Sequence, residues 1–162
     1  MEVILVSTVV TQRAEFEACY LMPVAGQPWQ LNVHNYKVEV SVKASDSDPD
    51  THVGIEFSEL KRILTEVLPD GKFLYNINAA PDSPEREIAG VFVKYAIPTR
   101  SYPFTISAEN LVKQIAEDVQ ERLYALLYDA CVAEVKLRET SQSFVTWRRG
   151  AILGVDLASV TT

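Results

Sequence analysis

Apolar and polar positions alternate along the first third of the chain and recur with helical spacing through its middle. From about Val3 to Met22 the apolar residues run through a stretch long enough for one bent or bulged strand. Pro23, Gly26 and Pro28 then mark a loop. From Tyr36 the alternation is clean, with Tyr36, Val38, Val40 and Val42 on one face and Lys37, Glu39, Ser41 and Lys43 on the other, the pattern of a half-buried strand. Phe57, Leu60, Ile63, Leu64, Val67 and Leu68 repeat at helical spacing after Ser58 as a cap, and Pro69 and Gly71 end that helix. Leu111, Ile115, Val119, Leu123, Leu126 and Leu127 form the stripe of a second helix that starts after Ser107.

Between the two helices lies a long Pro-rich connection over residues 79–105, which contains a strand-like run from Gly90 to Tyr95. A connection of this length reads either as a functional lid or as a surface insertion carrying a small hairpin. Alternation returns near Cys131, where Ala133, Val135, Leu137 and Glu139 are expected on one face. A last strand covers about Phe144 to Arg149 and is expected to resume through Ile152 and Leu153. The order predicts an α+β fold over a single domain, 1–162, in which a four-stranded antiparallel sheet carries two helices on one face.

Composition narrows the function. A formal charge of −7 argues against a nucleic-acid partner, which normally meets clustered Lys and Arg. No apolar run approaches the roughly 20 residues that cross a bilayer, so no membrane partner is expected and the chain is placed in the cytoplasm. Two cysteines, Cys19 and Cys131, do not make a disulfide framework. The acidic stretch from Ser45 to Asp50 lacks the Gly and terminal Glu of a calcium loop and reads as a plain loop.

Five local motifs fall in order on these elements. His34-Asn35-Tyr36-Lys37-Val38 matches the end of H-G-H-N-Y-x-V, and Val53 to Lys61 matches V-I-D-F-x-x-L-K. Asp70-Gly71-Lys72-Phe73-Leu74 matches D-H-K-x-L, Ser107 to Leu111 matches P-T-x-E-N-L, and Val135 to Thr140 matches V-x-V-x-E-T. The chain thereby resembles the tunnelling-fold family of 6-pyruvoyl- and 6-carboxy-tetrahydropterin synthases. The resemblance implies an oligomeric barrel, a homotrimer or homohexamer, with small-molecule sites between subunits.

In that family three histidines hold zinc, in F-x-A-x-H and H-x-H. The matching positions here are Tyr20, Asn32 and His34, of which only the last is an imidazole, so no metal and no other cofactor is expected. The position of the family's catalytic cysteine is Pro28, and the relay histidine of D-H-K-x-L is Gly71. Glu139 matches the carboxylate that anchors the pterin edge by charge-assisted hydrogen bonds. It reads either as that anchor or as a strand-end carboxylate in solvent. His34 reads as an acid or donor, or as a core histidine bonded to backbone. Asp70 reads as a site residue or, before Gly71, as a turn residue.

The candidate catalytic residues are therefore Tyr20, His34 and Glu139, and the candidate substrate-binding residues are Met22, Trp29, Asn32, Val33 and Asp70. The leading expectation is a metal-independent enzyme that holds a largely apolar small substrate for cyclisation, cycloaddition or isomerisation in specialised metabolism. The alternatives are a pterin or purine binder without catalysis, and a structural or regulatory oligomer.

Overall fold

In the computed structural model, which describes residues 8–44 and 53–150, the two long alternating segments pair along their whole length. Strand β1 (Val9–Met22) and strand β2 (Gln30–Ala44) form an antiparallel ribbon in unbroken register from Val9 opposite Lys43 to Met22 opposite Gln30. Helix α1 (Phe57–Val67) follows, then strand β3 (Lys72–Asn76), helix α2 (Pro84–Lys94), strand β4 (Thr99–Tyr102), helix α3 (Ala108–Ala125), strand β5 (Ala130–Arg138) and strand β6 (Phe144–Arg148). The sheet runs β4-β3-β1-β2-β5-β6.

The expected four-stranded antiparallel unit is present as β1-β2-β5-β6, with α1 and α3 packed on one face. Two corrections enlarge it. Strands β3 and β4 add to the β1 edge in parallel, making six strands among the described residues. The run from Gly90 to Tyr95, read as a strand, forms most of α2. Its valines suggested a strand, but Pro84 stands in the first turn with Glu85 and Glu87, Lys94 stands in the last, and Glu85, Ala89 and Phe92 share a face at helical spacing. Glu85 and Ala89 are buried there, and Phe92 meets Phe73 edge-on at 5.1 Å. The 79–105 segment is thus mostly helix and strand, laid against the β1–β3 edge.

The core lies between the sheet and the α1–α3 layer. Tyr36, Val38, Val40 and Val42 are fully buried against Leu60, Ile63, Leu64, Leu111, Ile115, Val119 and Leu123. Phe57, Leu127 and Ala133 depart from their predicted faces. Phe57, which starts α1, and Leu127, just past the end of α3, are exposed, and a shift in pairing at Ser41/Val42 turns Val132 and Val135 inward, with Ala133 between them only partly buried. The irregular backbone beside that bulge is bonded by buried Gln120, whose amide donates to the Ala130 carbonyl at 3.1 Å and accepts the Val132 N–H at 2.9 Å. Helix α2 covers the opposite face, over Leu21, Cys19 and Phe73. The expected strand start at Val3, the 45–50 loop and the extension through Ile152 and Leu153 lie outside the described residues.

Candidate functional site

Strand alternation decides which predicted residues can meet. Tyr20 pairs directly with Asn32, and Ala18 pairs with His34, so Tyr20, Asn32 and His34 lie on the face that continues into the core. Tyr36, two residues beyond His34, shares that face and stacks on Phe16 with centroids 5.0 Å apart. Glu139 follows β5 where the turn to β6 begins. Its N–H donates to the Ser143 carbonyl at 3.1 Å, and Thr140 Oγ1 accepts the Ser143 N–H at 3.0 Å. This turn aims the carboxylate back over the ribbon.

Three side chains converge on one oxygen of that carboxylate. The Tyr36 hydroxyl donates to Glu139 Oε1 at 3.2 Å, the Tyr20 hydroxyl donates to the same atom at 3.4 Å, and His34 Nε2 lies 4.0 Å from it. The two phenol oxygens are 3.4 Å apart. Tyr36 has a single proton, so with Glu139 ionised the lowest-energy arrangement sends both phenol protons to the carboxylate. These distances are longer than the roughly 2.7–2.8 Å of a tight O–H···O bond.

Burial holds both phenols in their protonated form. The Tyr36 phenol is pushed well above its usual value of 10.0, first by burial and then by Tyr20 and Glu139. Tyr20 is also raised, chiefly by burial, with a lowering contribution from Tyr36 and raising ones from Glu139 and Glu109. At neutral pH the pair therefore acts as two neutral donors.

Beside the cluster is a cavity of about 320 Å³ between the hairpin end of the ribbon, the start of α3 and the β5–β6 turn. Tyr20, Met22, Ala108, Phe144 and Val145 supply its apolar lining; Asn32, Ser107, Glu109, Glu139 and Ser143 supply the polar part. Ser107 caps α3, its Oγ accepting the Asn110 N–H at 3.2 Å, and Glu109 stands in the first turn.

The other predicted residues lie elsewhere. Val33 pairs with Cys19 on the opposite face and is 67% exposed. Trp29 packs beside Leu21, Phe73 and Ala89 on that same side. Asp70 Oδ1 accepts the Glu17 N–H at 2.8 Å, and the Gly71 N–H donates to the Glu17 carbonyl at 2.7 Å, so the turn ties α1 to the edge of β1. Gly71 takes φ +67° there, a conformation that suits glycine. Cys19, on the α2 side, has its thiol pushed up by burial, which suppresses the reactive thiolate.

Tyr36, Glu109, Ser143 and Phe144 were not among the predicted site residues. The signal for Tyr36 was its spacing of two from His34, which puts both on one face. Glu109 had its signal in the motif that opens α3. The residues at 20, 32 and 34 offer a neutral phenol, a carboxamide and one imidazole. Catalytic zinc takes three strong protein ligands, so this donor set does not fit the zinc that the resemblance implies.

A model of the 6-pyruvoyl tetrahydropterin synthase family matches residues 9–150. Among solved structures, an uncharacterized protein from Wolinella succinogenes is similar at TM-score 0.59 and 17% identity, over 89% of this chain and 100% of that one. The 6-pyruvoyl tetrahydropterin synthase of Plasmodium falciparum is similar at TM-score 0.56 and 18% identity, over 88% and 98%. That of Caenorhabditis elegans is similar at TM-score 0.55 and 15% identity, over 91% and 100%. At such identities the likeness to these structures is one of fold. No curated protein matches the chain.

Proposed function

We propose, from the fact that the chain belongs to the 6-pyruvoyl tetrahydropterin synthase family, that it binds a flat heterocycle by its N–H edge on Glu139 and promotes a metal-independent proton-transfer reaction on it. The observation that carries this reading is the convergence of Tyr20, Tyr36 and His34 on Glu139 Oε1 at the wall of the cavity. Two neutral donors on one carboxylate oxygen fix its orientation, and the second oxygen is the natural acceptor for a ring N–H. The names of the Plasmodium falciparum and Caenorhabditis elegans proteins, as tetrahydropterin synthases, favour a pterin-like ring.

The reaction class follows from which groups line the site. His34 beside Glu139 is a proton donor and acceptor, and Tyr20 is a neutral hydrogen-bond donor to a polarised carbonyl. These groups position a ring and move protons, so an isomerisation or cyclisation suits them best, driven by orientation and proton transfer. The mixed lining favours a ring with a polar edge over the largely apolar substrate of the leading expectation. Specialised metabolism is the setting such a change of chemistry suits, with the protein in the cytoplasm. Among the described residues no helix is long and apolar enough to cross a membrane.

A homo-oligomer, trimer or hexamer, completes this reading. Its support is that, among the described residues, β6 ends the sheet and β1 pairs with β3 only over Ala18–Tyr20, leaving its first half with one neighbour there. Titrating the protein with pterin tests binding, and His34→Gln tests the reaction. Binding retained with turnover lost in His34→Gln supports the proposal. Wild-type protein that binds no pterin or purine ring sinks it, and binding without any conversion favours the non-catalytic binder.

A further inference from the structure

Helix α2 buries little of itself. Among the described residues, only its Glu85 and Ala89 are buried, with Phe92 partly so, while Val91, Val93 and Tyr95 just past its end are exposed. Leu21 and Phe73 beneath it, with Cys19, Trp29 and Tyr75 packed against them, form a small cluster apart from the core under α1 and α3. A groove of about 230 Å³ lies between the C-terminal end of α2 and the sheet, walled by Cys19, Val33, Phe73, Phe92 and Ile97. We infer that α2 is a clamp on the back of the site, which opens from the sheet while the rest of the fold stays intact and whose closure is coupled to ligand binding at Glu139. The coupling rests on the reading that a ring binds there; the opening of α2 does not.

Both ends of the helix carry features that opening relieves. At the N-terminal end, Ser83 makes no capping bond and its hydroxyl is buried without a partner among the described residues. That hydroxyl regains water when the helix lifts. At the C-terminal end, the Ile97 N–H donates back to the Phe92 carbonyl at 2.8 Å, which closes the helix through Ala96 at φ +55°. This position suits glycine, and a Cβ there is disfavoured. Against these stand Phe92 edge-on to Phe73, Glu85 Oε2 accepting the Asn76 N–H at 3.0 Å, and Arg86 donating to the Ile77 and Ala79 carbonyls. A small buried apolar face between unfavourable ends is the make-up of a unit that opens below the global unfolding free energy.

Strand parity links this helix to the site. Leu21, which α2 covers, stands between Tyr20 and Met22 in β1, and those two side chains line the Glu139 cavity on the other face. Trp29, packed in the α2 cluster, leads into β2, where Gln30 pairs with Met22 and Asn32 pairs with Tyr20. The hairpin end that forms one wall of the cavity is thus pressed from behind by α2. A ligand that needs Tyr20, Met22 and Asn32 in place favours the closed helix, and by linkage the closed helix favours the ligand.

Hydrogen exchange on the full chain, read peptide by peptide, tests both parts. Amides of α2 are expected to exchange at least about tenfold faster than those of α1 and α3. Ala96→Gly removes the disfavoured Cβ, so it should slow α2 exchange about threefold or more and leave α3 unchanged. Phe92→Ala should speed both α2 exchange and alkylation of Cys19. Saturating pterin should slow α2 exchange in wild type, although none of the cavity's described lining residues belongs to α2. Exchange of α2 at the rate of α3, or an α2 rate that neither substitution moves, overturns the clamp; an α2 rate unmoved by bound pterin overturns the coupling. Calorimetry separates this from the ring site itself: pterin that fails to bind sinks that site and the coupling together, and the contrast between α2 and α3 still decides whether the helix opens.

Discussion

The hydroxyl of Tyr36 lies 3.2 Å from Oε1 of Glu139, although 103 residues separate them in the chain. Tyr36 is fully buried and stacked on Phe16, so its position is set by the core and not by the site. Glu139 is set by the turn to β6. The carboxylate is therefore held between the packed core and the β5–β6 turn, an arrangement that fixes its orientation, as the proposed ring anchor requires.

Tyr36→Phe keeps the stacked ring and removes only the donor. Stability should fall by about 1 kcal/mol, the net value of one hydrogen bond. Ring binding should weaken more than this small loss suggests, because the freed carboxylate loses its orientation. Urea unfolding and calorimetry on the same variant measure the two effects; a variant with unaltered ligand affinity would show that Tyr36 has a purely structural role.

The raised phenols of Tyr20 and Tyr36, with those of Tyr102 and Tyr128, also make the fold weaken at alkaline pH. Below the usual phenol value of 10.0 both folded and unfolded chains keep these protons, and the four residues contribute no pH dependence. Above it the unfolded chain releases protons that the folded chain retains, so stability falls as pH rises. Urea midpoints at about pH 8 and about pH 11 should separate in wild type. The gap should narrow in Tyr36→Phe.

Asp70 distinguishes turn chemistry from site chemistry. Its carboxylate accepts the Glu17 N–H at 2.8 Å, so Asp70→Ala should cost roughly 1–2 kcal/mol of stability. Ligand affinity should stay at the wild-type value. Loss of binding in a folded Asp70→Ala protein would return this residue to the site.

Gln120 bonds the backbone of β5 at the bulge and accepts from Arg149 Nη2 at 2.9 Å. Truncation to Ala leaves the buried Val132 N–H and Ala130 carbonyl without that partner, at a cost of about 1–3 kcal/mol. Thermal melting checks this directly, and slow amide exchange at Val132 should be lost in the variant.

Much of this molecule is legible in the sequence, for definite reasons. Tyr36, Val38, Val40 and Val42 alternate strictly and are buried as read, and the stripes from Leu60 and Leu111 found their helical faces. Where local pattern and tertiary packing disagree, the reading fails. The run from Gly90 to Tyr95 has strand-forming valines, yet Pro84 and the acidic first turn start a helix whose buried residues are only Glu85 and Ala89, with Phe92 partly buried beside them. Within the site, the ordered motifs pointed to Tyr20, His34 and Glu139, which the fold brings to one atom cluster. Val33 and Trp29 were grouped with them by nearness in sequence, but they lie on the other side of the sheet with α2. Strand parity would have separated Val33 from His34. No local signal placed Phe144 or Ser143 beside Tyr20, because that contact depends on how β6 pairs with β5.

The central claim is that Glu139, oriented by Tyr20 and Tyr36, anchors a ring ligand. Its most direct test is calorimetric titration of pterin into wild-type protein and into Glu139→Gln, which keeps the side-chain shape and removes the charge. The account predicts measurable binding to wild type and at least about a tenfold loss in the variant. Equal affinity for both proteins, with the variant folded, would contradict it.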